Sequence, residues 1–72
     1  MTARLVSAEV IVALGARHIK EQERLVAELR RDGHVATDAE TLLVTFRDAQ
    51  VQHIAYRDFL LKELKAALGE GL

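Results

Sequence analysis

The chain has 72 residues, half of them hydrophobic, with 10 basic groups against 11 acidic ones and no Pro, Cys or Trp. That length allows one small domain, spanning 1–72, and the composition is that of a folded chain. It excludes a disulfide scaffold, a cysteine zinc site and a thiol nucleophile, and the balanced charge argues against the strongly basic face of a nucleic-acid binder.

The first element is a helix over about residues 4–32. Leu5, Ala8, Val12, Gly15, Ile19, Gln22, Val26 and Leu29 recur in alternating steps of three and four, the spacing of one helix face. Ile11, Leu14, His18 and Leu25 widen this stripe on one side. Charged residues mostly cover the other side, with Arg17–Glu21 and Arg24–Glu28 at ion-pair spacing. The most apolar run, Val10 to Ala16, is far shorter than the roughly 20 residues that span a bilayer. Helical periodicity continues through it, so it reads as part of a mature helix in a cytoplasmic protein with no membrane partner.

The break comes at Asp32-Gly33-His34-Val35-Ala36-Thr37. Gly33 suits the left-handed residue that closes a helix, and His34 reads as a helix-terminal residue. Thr37-Asp38-Ala39-Glu40 has the spacing of a capping box, in which the Thr37 hydroxyl and the Glu40 carboxylate satisfy each other's backbone N–H. Asp38 adds negative charge to the first turn, where the helix dipole favours it.

The second helix follows over about residues 38–68, with a stripe through Leu42/Leu43, Phe46, Ala49/Gln50, His53, Tyr56/Arg57, Leu60, Leu64 and Ala67/Leu68. Asp58 and Lys62 read as a surface pair. Two long helices joined by a few residues fold back as an antiparallel hairpin, so the fold class is all-α. An echo at an offset of 35 supports this symmetry: His18-Ile19 recurs as His53-Ile54, and Leu25, Glu28 and Leu29 recur as Leu60, Glu63 and Leu64.

A hairpin bending near Val35 pairs Leu25 with Phe46, Val12 and Ile11 with Phe59 and Leu60, Leu5 with Ala67, and Gly15 with Tyr56. It also sets His18 opposite His53 and Gln22 near Gln50, with Arg57 one turn along. These five residues form a polar layer, and Leu25, Leu29, Phe46, Phe59 and Leu60 are the core and interface positions.

Three readings of the polar layer compete. The first is a hydrogen-bonded layer that sets register and oligomeric state, as buried polar residues do in coiled coils. The second is partial solvation. The third is a metal- or haem-binding site, or a pH switch, through His18 and His53. Dimetal bundles use Glu-x-x-His, whereas Gln50-x-x-His53 lacks the carboxylate, so no metal and no cofactor is assigned. A phosphotransfer histidine is also weighed and set aside, because His18 falls on the apolar side and is followed by Ile19 and Lys20. No Walker, GxGxxG, GxSxG or HExxH pattern is present, and no residue is assigned as catalytic.

The stripes are wider than one hairpin seam, and a chain this short has no covalent staple. The expected solution is a homodimer, two hairpins forming a four-helix bundle; the alternative is docking on another helical protein. The expected role is a non-enzymatic protein-interaction or regulatory module. A metal- or haem-binding bundle, and a small RNA binder using Arg17, Lys20, Arg24 and Arg31, are the alternatives.

Gly15-x-x-His18-Ile19-x-x-Gln22, Asp32-Gly33-His34, Leu42-Leu43-x-x-Phe46 and His53-x-x-x-Arg57-Asp58 together resemble a set of short bacterial helical-hairpin proteins. The resemblance covers about residues 14–64 and implies the hairpin, with no activity to carry over. At the level of fold alone, the architecture is similar to small RNA-binding hairpin dimers such as the plasmid copy-number modulator.

Overall fold

A computed structural model describes residues 3–70, which form two helices, α1 (Ala3–Arg31) and α2 (Thr37–Glu70), packed antiparallel into a rod 61 Å long. There is no strand among the described residues. All eight residues of the α1 stripe are buried or half-buried: Leu5, Ala8, Gln22 and Val26 fully, and Val12, Gly15, Ile19 and Leu29 in part. They occupy two rows that each repeat every seven residues, the arrangement of a coiled-coil seam.

The α1 terminus closes as the sequence implies. Gly33 has φ +76°, its N–H donates to Arg30 O at 3.2 Å, and the His34 N–H donates to Leu29 O at 2.8 Å. This pair of bonds is a Schellman cap, which satisfies carbonyls that the last helical turn leaves open.

The capping box does not form. The Ala36 carbonyl accepts the Glu40 N–H at 2.8 Å, so the buried Ala36, not Thr37, caps α2. The Glu40 carboxylate turns away to accept from Arg30 Nη2 at 2.8 Å and Nε at 3.2 Å. A guanidinium is a stronger partner for a carboxylate than a neutral N–H, and the bend brings one within reach.

The helices also meet in a different register from the one a symmetric bend implies. Gly15 faces Gln50 and not Tyr56, His18 lies against Phe46 and not His53, and Gln22 reaches Ala39 and not Gln50. The linker is the cause. Non-helical residues can cover about 3.3 Å each against 1.5 Å in a helix, so His34–Ala36 carries the chain back past the last turn of α1. Ala36 therefore packs with Val26 and Leu43, beside Ile19, Leu29 and Ala39, in the main buried cluster.

Candidate association surface

The polar layer resolves into two separate clasps. Gln22 is 9% exposed and donates through Nε2 to Ala39 O at 3.0 Å. Gln50 is 8% exposed and donates to Val12 O at 2.7 Å. Each helix thus sends one amide to a main-chain carbonyl of the other. The α1 ends of the clasps, residues 12 and 22, lie about 15 Å apart along the rod. The two glutamines are related by an offset of 28 residues, one heptad short of the sequence echo at 35.

Gly15 makes the second clasp possible. A Cβ added there would overlap Gln50 Oε1 and lie 2.8 Å from its Cδ. The bare helix backbone leaves a notch, and the Gln50 amide fills it. His53 Nδ1 also lies 3.4 Å from Gln50 Oε1. Among the described residues, every buried side-chain nitrogen and oxygen has a hydrogen-bond partner, as buried polar groups require.

His18 is exposed, with its ring centroid 6.2 Å from that of Phe46. His53 lies seven residues beyond Phe46 on α2, which sets the two histidines about 10 Å apart along the axis. They do not share a site within one chain, and no group of three or more His, Asp or Glu with metal-binding geometry occurs among the described residues. Arg57 is half-buried and pairs with Asp58 at 2.8 Å, so Asp58 is not paired with Lys62.

Leu29, Phe46 and Leu60 are half-buried, whereas Leu25 and Phe59 are 43% and 54% exposed. The buried apolar positions are instead Leu5, Ala8, Val26, Ala36 and Leu43. Leu25 sits one residue beside the seam, in the row Arg4, Ile11, His18, Leu25, which also repeats every seven residues.

The hairpin has two unlike flanks. One is bridged by ion pairs between the helices, Arg30–Glu40 at 2.8 Å and Arg47–Glu23 at 3.3 Å, with all four side chains 44% or more exposed. On the other flank, the row of His18 and Leu25 faces the row of Phe46, His53 and Leu60. No ion pair joins the helices there among the described residues. Two grooves open along it. One, of about 440 Å³, includes His18, Leu25 and Phe46 in its lining. The other, of about 590 Å³, includes Arg4, Phe59, Leu60 and Glu63.

Apolar exposure is greatest at the end away from the bend. Val6, Val10, Ile11 and Leu14 on α1, with Val51, Tyr56, Phe59 and Leu68 on α2, are all 43% or more exposed. Residues 3–16 of α1 contain only Arg4, Ser7 and Glu9 as polar side chains. A helix apolar around most of its circumference is normally covered.

The cations Arg17, Lys20 and Arg24 make no ion pair among the described residues, so the expected pairs with Glu21 and Glu28 are not made. Glu21 lies among these three cations, and Arg31 is engaged by Asp32 at 3.3 Å. No helix among the described residues is long and apolar enough to cross a membrane. No family model, no curated protein and no solved structure matches this chain.

Proposed function

We infer that this chain is a non-enzymatic interaction or regulatory module of the cytoplasm, a helical hairpin that pairs with a second copy to form a four-helix bundle. One observation carries the reading. The chain exposes 5592 Å² of surface, whereas a typical folded monomer of 8.0 kDa exposes about 4,450 Å². The surplus of roughly 1,100 Å² is large enough to supply the about 800 Å² that each partner contributes to a standard interface. Twelve large apolar side chains, of Val, Ile, Leu, Tyr and Phe, are 43% or more exposed among the described residues, and burying them drives association at about 25 cal/mol per Å² before the costs of ordering.

Sedimentation equilibrium tests this. A species of twice the chain mass at micromolar concentration is expected. A folded monomer under those conditions overturns the reading, and a hairpin that sediments as a dimer only with a foreign helical protein replaces it with the docking alternative.

A further inference from the structure

We propose that two copies meet through the flank lined by Ile11, His18 and Leu25 of α1 and Phe46, His53 and Tyr56 of α2, so that the four imidazoles of the pair lie in the joint and their protonation separates the copies. This rests on the self-association reading and specifies its surface and its control.

Three observations select this flank. The opposite flank carries two solvated ion pairs that already bridge the helices, whereas the charges lining the grooves of the chosen flank, Arg4, Glu21, Arg24, Glu28 and Glu63, make no ion pair among the described residues and are open to partners on a second copy. The chosen flank has no such pairs among the described residues, and both grooves, of about 440 and 590 Å³, open on it. Its apolar members Ile11, Leu25 and Tyr56 are 44%, 43% and 49% exposed.

A second copy is the occupant that the surface fits. The surplus area of each chain covers the share that a standard two-fold interface asks of one partner. Each groove also has both signs of charge in its lining, Arg4 with Glu63 in one and Arg24 with Glu21 and Glu28 in the other. A surface that meets its own copy needs both signs, because a rim of one sign repels itself.

An imidazole ordinarily takes up a proton near pH 6.5, and a charged imidazole resists burial among apolar side chains. Around His18, α1 supplies Glu21 and Arg24, and α2 supplies Phe46 with no charge. Around His53, α2 supplies Gln50 and Arg57, and the observed register places Ile11, Val12 and Gly15 of α1 opposite. Among the described residues, no carboxylate is bonded to either ring. The rim glutamates of the second copy are the groups that would oppose the effect by attracting a protonated ring.

The test measures the dimer dissociation constant by sedimentation equilibrium at about pH 8 and about pH 5.5, spanning the imidazole range, with helicity followed by circular dichroism. The wild-type constant is expected to rise at least about tenfold at the lower pH, the factor for one proton bound one unit below its pKa. The His18→Gln, His53→Gln double variant is expected to dimerise with that dependence lost. Leu25→Glu should weaken the dimer at both values, and Val51→Glu, outside the flank, should not.

A dimer that tightens or holds constant in acid overturns the role of the histidines. A dimer sensitive to Val51→Glu and indifferent to Leu25→Glu overturns the flank. Both results leave self-association standing, whereas a wild-type monomer at about pH 8 removes the reading beneath them.

Discussion

Gly15→Ala sets a local preference against a tertiary contact, and the outcome depends on one side chain of the facing helix. Alanine is favoured over glycine inside a helix by about 1 kcal/mol. In this hairpin the added methyl would overlap Gln50 Oε1 and lie 3.3 Å from Nε2. The amide must move, and the 2.7 Å bond to Val12 O is then lost. Leaving that buried amide unpaired costs about 1–3 kcal/mol, so the net effect in the wild-type chain is a loss of up to about 2 kcal/mol. In a Gln50→Ala background the obstacle is gone, and Gly15→Ala should stabilise by about 1 kcal/mol. The pair should therefore couple by about 1–3 kcal/mol in a double-mutant cycle. Urea unfolding followed by circular dichroism, at one fixed chain concentration because association shifts apparent stability, reads both backgrounds. Equal stabilisation by Gly15→Ala in the two backgrounds would refute the notch.

Three further outcomes follow from the same geometry. Gly33→Ala places a side chain on a residue at φ +76° and should cost about 1–2 kcal/mol, visible as a fall of roughly 4–8 °C in melting temperature per kcal/mol; Gly33→Asn should cost less, and the reverse order would contradict the Schellman cap. Leu5→Ala removes a large side chain that is only 1% exposed, and should cost about 2–5 kcal/mol in chemical denaturation; a loss below about 1 kcal/mol would show that Leu5 is not buried in the seam as described. Arg30→Ala breaks an ion pair whose side chains are 64% and 44% exposed, and thermal melts should move by no more than about 1 kcal/mol, with a smaller shift at high salt.

The α1 seam was readable because its period is strict: each of the eight residues picked at steps of three and four is buried or half-buried. On α2 the stripe offered alternatives at several turns. The structure takes Leu43 over Leu42 and Gln50 over Ala49 for full burial, a choice that depends on which side α1 lies. Gly33 carried its own signal, since few other residues close a helix through φ +76°.

The register was not readable, because periodicity fixes which faces meet and says nothing about how far the chain travels through the bend. A symmetric fold-back at Val35 therefore misplaced the partners of Gly15, His18 and Gln22. The capping-box spacing at Thr37 and Glu40 misled for a related reason. Glu40 answers to Arg30, which lies beside it only after the bend has formed.

The Gln50 clasp bears on how a smooth pair of helices keeps from sliding. Main-chain carbonyls recur every 1.5 Å along α1, so an amide that seeks only a carbonyl could stop at many places and would act as a lubricant between neighbouring registers. Gly15 is the one glycine of α1, and there the missing methyl leaves the space that the Gln50 amide occupies. The alignment of the two helices is thus written as a missing methyl group on one and a long neutral side chain on the other. Moving one member of the pair by a heptad while the other stays in place would recode the length of overlap and leave the apolar pattern unchanged.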